Sequence, residues 1–381
     1  MNFDFSDELK QLREEARRFL AERNTLAEAR RVLESDAGHD AALWREIAEM
    51  GWIGAAIPEA YGGAGLGPLG LCVLAEELGA SLAPVAFSST AYLAAEAILL
   101  AGSAAQKERY LPKLAQGEAI GTLALAEGPT APGLKRIAAA VAGGRLSGTK
   151  EPVPDGMIAD FAVVGARGAD RRLALFIVDL RAPGVARERV ATIDPSRGHA
   201  RLVFGDAAAE PLGAVGEGER LIERLFDRAA VLFAFEQVGG AQAALDMAKG
   251  YALERYAFGR PIGSFQAIKH KLADVYVATE LARSNAYYGA WALSQDAPEL
   301  PLAAATARVA ASDAFYLAAK ENIQTHGGMG YTWAFDCHLY YRRAKLLSLA
   351  LGSTRAWKDR LIAQLEARNE SSLDGATGAA P

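Results

Sequence analysis

Apolar positions recur along most of the chain at steps of three and four residues. Phe5, Leu9, Leu12, Ala16 and Leu20 put one apolar stripe on a first helix. Ser6, followed by Asp7 and Glu8, gives that helix an acidic start. Trp44, Ile47 and Met50 mark a second helix that Gly51 ends. Residues 57–65, with Pro58, Gly62, Gly63 and Gly65, predict a loop. Helical spacing resumes over 69–78, 91–100 and 106–115. Between about Ile120 and Leu212 the period shortens, and β-prone runs at 161–164, 173–178 and 202–204 are separated by Gly, Pro and Asp clusters. Long helical segments return over 221–254, 264–293, 302–325 and 335–349. They exceed the mean helix of about 11–12 residues and predict an antiparallel bundle. The expected fold class is thus α+β and multi-domain. An N-terminal helical domain (1–118) precedes a small, mostly antiparallel middle β domain (119–214), a C-terminal four-helix bundle (215–368) and a disordered tail (369–381). Two of the long helices carry Tyr287, Tyr288 and Trp291, and Phe315 and Tyr316. That is more apolar surface than one short bundle needs, and it predicts an oligomer built on these helices.

Composition narrows the function classes. The 381 residues are 51% hydrophobic and 23% charged, as in an ordinary soluble globular chain. Lys and Arg number 41 against 46 Asp and Glu, a net charge of −5, which argues against nucleic acid as a partner. No apolar run reaches the roughly 18–20 residues of a membrane span, and the longest candidate, 91–101, contains Glu96. The acidic N-terminus lacks the basic start of a secretory signal. Two cysteines, Cys72 and Cys337, exclude a disulfide framework and a cysteine-built zinc site, and they fit a reducing, cytoplasmic location. Five scattered histidines (His39, His199, His270, His326, His338) show no metal-ligand spacing, so no metal is expected.

Gly65-Leu66-Gly67-Pro68-Leu69-Gly70 matches the dinucleotide fingerprint in letters only. No strand precedes it and residues 85–92 hold no acid, so it reads as a glycine-rich loop ahead of a helix. Two other segments are richer. In 254–266, Arg255, Phe258, Phe265 and Gln266 crowd one helix-to-helix connection. Simple loop packing would account for them; so would a clamp with a guanidinium for a phosphate, rings for a flat ligand and an amide for its edge. In 324–331, Gly327, Gly328 and Gly330 end a helix and bring backbone amides close to whatever lies there, or form a bare turn.

Four ordered matches then resemble the acyl-CoA dehydrogenases, a flavoprotein family, over residues 1–367. They are Gly51-Trp52 with Ile57-Pro58-Glu59, Tyr61, Gly62 and Gly63; Tyr110-Leu111-Pro112-Lys113-Leu114-Ala115 with Gly117-Glu118; Arg255, Phe258 and Gly259 with Gln266; and Gln324, Gly327, Gly328, Gly330 and Tyr331. The resemblance implies non-covalent FAD held between subunits, an acyl-CoA substrate and an electron-transfer flavoprotein as acceptor. It assigns Arg255, Phe258 and Gln266 to the FAD pyrophosphate and adenosine part, with Ile262 and Phe265 also cofactor-binding. Gln324, Thr325 and Gly328 fall to the same cofactor across the dimer interface, with Ser353 and Arg355 further along it.

The chain departs from the family where the chemistry is done. The carboxylate that removes the α-proton occupies one of two family positions, which here hold Leu351 and Ala229. The segments that lie on and behind the flavin read Ala126-Glu127-Gly128, without the usual continuation around Pro132, and Pro152-Val153-Pro154. Three readings follow. The chain is one subunit of a heteromeric dehydrogenase of bulky or steroid-side-chain acyl-CoAs, in a heterotetramer whose partner carries the base. Alternatively it is a self-sufficient dimer or tetramer with a relocated base, for which Glu236 is the candidate, two helical turns past Ala229. The third is a non-catalytic FAD-binding scaffold or a related flavin reaction such as an oxidase.

Overall fold

The computed structural model describes residues 5–23, 25–35, 37–128, 133–214 and 216–377, with side chains as far as residue 369. Residues 1–4, Pro132 and the last four residues of the expected tail lie outside the described residues.

The chain opens with α1 (Asp7–Glu22), α2 (Thr25–Leu33), α3 (Ala41–Glu49), α4 (Gly67–Ala80), α5 (Glu96–Ala101) and α6 (Ala104–Ala115). Their starts are written locally. Ser6 Oγ accepts the Leu9 amide at 3.3 Å, and Asp40 Oδ1 accepts those of Ala42 and Leu43 at 2.9 and 3.0 Å. Ser103 and Gln106 cap α6 reciprocally. Gly65 and Gly67 take left-handed φ of 66° and 65° as the chain enters α4, so the fingerprint-like letters are a loop and a helix start. Ser88–Ala95 winds as a π-helix into α5 and is buried throughout.

The middle sheet holds β1 (Gly121–Ala124), β2 (Ala140–Ala142), β3 (Arg145–Pro154), β4 (Phe161–Arg167), β5 (Leu173–Asp179), β6 (Val185–Val190), β7 (His199–Ala208) and β8 (Glu210–Leu212). Their order is β6-β7-β3-β2-β4-β5-β8, with β1 beside β4. The sheet is mixed: β1 and β2 run parallel to β4, and the other pairings are antiparallel. β4 and β5 are buried on both faces, which is why they read as unbroken apolar runs.

α7 (Gly218–Glu254) leads through the hairpin β9 (Tyr256–Ala257) and β10 (Arg260–Pro261) into α8 (Gln266–Ser294) and α9 (Leu300–His326). A 3₁₀ turn, Gly327–Tyr331, precedes α10 (Cys337–Leu349) and α11 (Thr354–Thr377). α7 to α10 are the four expected helices. α11 corrects the tail: its backbone stays helical through Thr377, because no proline interrupts 354–377 and the first glycine is Gly375. α4 crosses α7 so closely that a Cβ at Gly79 would lie 2.0 Å from the Glu236 carbonyl oxygen, and one at Gly239 would lie 1.9 Å from that of Glu76. Glu76 accepts from Arg13 of α1 and Arg283 of α8, tying both helices to this crossing.

The aromatic argument for an oligomer is corrected in its particulars. Phe315 is fully buried, and Tyr287 packs on Phe5 and Phe235 with ring centroids 4.8 and 5.6 Å apart. These rings complete the core of one chain. Tyr316 of that set is exposed, as are Leu253, Tyr256, Phe258, Tyr276, Leu281 and Tyr331, among others. Among the described residues, no helix is long and apolar enough to cross a membrane.

Candidate functional site

Because α7, α8 and α9 alternate in direction, the end of α7, the start of α8 and the end of α9 share one end of the bundle. Tyr251 stacks on His326 at 4.1 Å between centroids, and Lys271 lies 3.4 Å from Glu321. These contacts bring 255–266 beside 324–331. Phe258 and Gly259 form the two-residue loop of the β9–β10 hairpin, both left-handed, with φ of 52° and 75°. That turn suits glycine and strains phenylalanine, which is nevertheless held out to 95% exposure. Phe265 is half-buried, with its ring 6.2 Å from that of Phe258 and the Arg260 guanidinium 4.1 Å from its own centroid. Arg255, Gln266 and Gln324 are exposed, Ile262 is half-buried and Thr325 is buried. A side chain added at Gly327 or Gly328 would meet nothing within 4 Å. An open cation, uncovered rings and bare backbone together fit the phosphates and adenosine of FAD.

Toward the other end lies a cavity of about 730 Å³, enclosed by all three parts of the chain. Ser88 and Leu93 border it from the π-helix, Leu123, Leu125 and Ala126 from β1 and beyond, and Pro152 and Pro154 from β3. The loop between β6 and β7, Phe226 and Phe233 of α7, and residues 345–353 complete the wall. From Phe233 to Arg255 the helix rises roughly 30 Å, so one chain holds the two halves far apart. Leu351 and Ser353 line this cavity, while Arg355 is exposed. Leu351 sits at a left-handed φ of 61° in a turn built around buried Arg308. Arg308 donates to the carbonyls of Leu347 and Ala350 and to Gln237, and the Trp357 indole donates to the Leu351 carbonyl at 3.2 Å. Burial pushes the Arg308 pKa down to about 9. Ala229 is fully buried and does not border the cavity. The acidic residues that do are Glu151, 3.6 Å from Arg201, and Asp155.

One corner of the cavity is densely polar. Arg197 donates to the Val85 carbonyl and Ser88 Oγ, each at 3.0 Å, and to Glu236. Arg343 donates to Asp194 at 2.6 Å and Ser196 at 3.0 Å, and its Nη1 lies 3.9 Å from Glu236. Burial works against the Arg197 charge, but Glu236 and Asp155 hold its pKa above the usual value. Asp155 Oδ2 accepts from Ser89 Oγ at 2.6 Å, whereas Oδ1 is buried without a partner, and burial raises this carboxyl's pKa. His199 Nδ1 lies 3.1 Å from the Arg197 carbonyl. A carbonyl only accepts, so Nδ1 carries the proton and Nε2 is left as an acceptor. Burial also lowers the His199 pKa, which keeps the ring neutral.

Glu236 does not meet the base role expected of it. Its carboxylate is buried in the ion pair with Arg197, and the residue does not line the cavity. Its partner Arg197 stands between it and the cavity wall that Arg197 lines. Glu127 is likewise absorbed by structure: it accepts from buried Lys150 at 2.7 Å and from the amides of Ala138 and Ala139. The polar corner, formed by Ser88, Asp155, Arg197 and His199, is missed from sequence. Spacings of tens of residues carry no periodicity, and the only local signal was charge next to glycine at Asp155-Gly156 and Arg197-Gly198.

Comparison with known proteins identifies the family. The model of the acyl-CoA dehydrogenase N-terminal domain matches residues 6–118, and that of the C-terminal domain matches 216–365. An acyl-CoA dehydrogenase of Mycobacterium tuberculosis, IpdE2, is 37% identical over 94% of this chain and 98% of its own length. The solved Tcur3481–Tcur3483 steroid ACAD superposes with a TM-score of 0.85 at 34% identity, covering 96% of this chain and 99% of that one. The ChsE4–ChsE5 complex from Mycobacterium tuberculosis gives 0.87 at 28%, with the same shares covered. The chain belongs to the acyl-CoA dehydrogenase family, whose cofactor is FAD.

Proposed function

We propose that this chain is an FAD-binding subunit of a dehydrogenase that desaturates the α,β bond of a bulky acyl-CoA, and that a second, related subunit supplies the catalytic base. FAD, when bound, supplies the acceptor for the hydride leaving the β-carbon. The chain's own residues do the rest. Arg255, Phe258, Ile262, Phe265, Gln266, Gln324, Thr325 and Gly328 hold the dinucleotide, and the wall from Lys345 to Ser353 closes the cavity and excludes water. The observation that carries this reading is Leu351 on the cavity wall, with Ala229 sealed in the core: neither family position offers an atom that takes a proton. The steroid ACAD named with two chains supports the bulky substrate, and it and the ChsE4–ChsE5 complex support the second subunit. An electron-transfer flavoprotein would take the electrons, and the two buried free cysteines fit work in the cytosol.

The test is anaerobic mixing of the FAD-loaded homo-oligomer with a saturated acyl-CoA. The flavin is expected to stay oxidised, and to bleach once a related subunit bearing a carboxylate at either base position is co-purified. Rapid bleaching of the homo-oligomer alone would remove the need for a partner's base. A flavin that stays oxidised even in the complex would favour a scaffold role.

A further inference from the structure

Residues 327–336 join α9 to α10, and they begin with the open glycine turn beside the hairpin. Nothing lies within 4 Å of a side chain added at Gly327 or Gly328, and Tyr331 is 85% exposed. A turn this bare gains little from its own contacts, so its flanks have to hold it in place for a ligand. α9 holds the near flank. A Cβ at Gly330 would lie 2.5 Å from the Ile323 carbonyl oxygen, and buried His326 stacks on Tyr251. The far flank is held by the N-terminal helices. Arg30 of α2 donates to the Trp333 carbonyl at 2.6 Å and to Asp336 Oδ1 at 2.9 Å, with its guanidinium 5.6 Å from the centroid of the Trp333 ring. The Trp333 indole donates to Glu34 Oε1 at 2.6 Å, just past the end of α2. His338 of α10 stacks on the same indole at 4.6 Å between centroids.

One guanidinium thus meets a carboxylate, a backbone carbonyl and an aromatic face together, a set that suits arginine's planar fork and not a lysine. Its neighbour Arg31 pairs instead with Glu28 and Asp40, inside the N-terminal helical domain. The two arginines share a helix, but only Arg30 reaches the segment that carries the glycine turn.

We propose that Arg30 is a positioning residue for the cofactor: by latching Trp333 and Asp336 to α2 it fixes the glycine turn against which FAD binds, without touching FAD itself. The proposal rests on the clamp reading above. Coupling of this kind is reciprocal, so bound FAD also steadies the latched segment.

The test is titration of the full-length apoprotein with FAD, followed by flavin fluorescence, alongside timed chymotrypsin cleavage, which reads access to Tyr331 and Trp333. Arg30→Ala is expected to bind FAD about tenfold more weakly. It should also be cut faster at Tyr331 and Trp333, and saturating FAD should slow that cut. Arg30→Lys should recover part of the affinity, since it restores the charge opposite Asp336 but not the fork. Arg31→Ala removes an ion pair from the same helix and should leave both readouts at their natural values; a merely structural loss at α2 would move both arginine variants alike. Should Arg30→Ala fold poorly, Asp336→Asn opens the latch from its other side at a partly exposed position, with the same losses expected. Unchanged FAD affinity in the folded latch variants, or an equal loss in Arg31→Ala, would overturn the proposal. Arg255→Ala separates the two readings: loss of FAD there beside an unchanged Arg30→Ala overturns the latch alone, and full retention there overturns the clamp reading and the latch with it.

Discussion

Arg197, just before β7, and Glu236, midway along α7, form a buried ion pair that crosses from the middle sheet to the helical bundle. Arg343 approaches the same carboxylate from α10, so Glu236 is a junction of three elements. Removing one member of such a pair leaves the other charge buried and uncompensated. Glu236→Gln is therefore expected to lower unfolding free energy by about 3 kcal/mol, read by urea denaturation. FAD content should be unchanged in the folded fraction, and so should flavin reduction in the complex with a base-bearing related subunit. A folded variant that loses flavin reduction while keeping its stability would return Glu236 to the role of a base.

Asp227 gives a pH signature. Burial raises its carboxyl to about 6, against the 2.7 Å pairing with Arg360, which lowers it. The folded state thus holds a proton that the unfolded state releases near its ordinary value of 3.8. Between about pH 4 and pH 6 this group costs the fold stability as pH rises, and the full cost stands above that window. Asp227→Asn carries no such cost. Its stability relative to the natural protein should climb by about 2 kcal/mol from pH 4 to pH 7, measured by thermal melts at matched ionic strength. A flat difference across that range would contradict the assignment.

The Arg255 guanidinium is exposed and has no ion-pair partner among the described residues, beside an open glycine turn. Arg255→Ala should weaken FAD retention by about 2 kcal/mol, some thirtyfold, with secondary structure intact. The ratio of flavin absorbance to protein absorbance after gel filtration reports it. Full retention would remove Arg255 from the clamp.

Leu351→Glu is the constructive test of the proposal that this chain lacks the base. The new carboxyl would stand on the cavity wall near Leu347 and Leu349, where apolar surroundings raise its pKa. Anaerobic flavin reduction by a saturated acyl-CoA should accelerate by about 100-fold or more over the natural protein, and the rate should rise with pH as the carboxyl ionises. No acceleration with FAD bound would show that position 351 does not face the α-carbon.

The sequence exposes the fold wherever an element is long or fully buried. α7 to α10 and the doubly buried strands β4 and β5 are plain in the apolar pattern. Short or charged elements are hidden: α2 carries Glu28, Arg30 and Arg31 in nine residues, and β6 reads Val-Ala-Arg-Glu-Arg-Val on a sheet edge. The same division holds at the site. The proposed clamp is visible in the sequence because Arg255 to Gln266 is one contiguous stretch, brought together by a single turn. The polar corner is illegible because Ser88, Asp155 and Arg197 meet only after the helical segment, the sheet and the bundle have packed. Glu236 shows the limit of helical geometry alone: periodicity gives its face of α7, but not the guanidinium waiting there.

The roughly 30 Å of α7 between Phe233 and Arg255 has a genetic corollary. A chain whose clamp and cavity belong to different composite sites can be damaged in two independent ways. A lesion at Arg255 and a lesion at the cavity wall, carried on separate copies, would leave one undamaged pairing in a mixed assembly. Two alleles, each inactive alone, could then restore function together. In an assembly with a diverged second subunit the same separation lets the two chains specialise, each eroding the half-site that the other supplies.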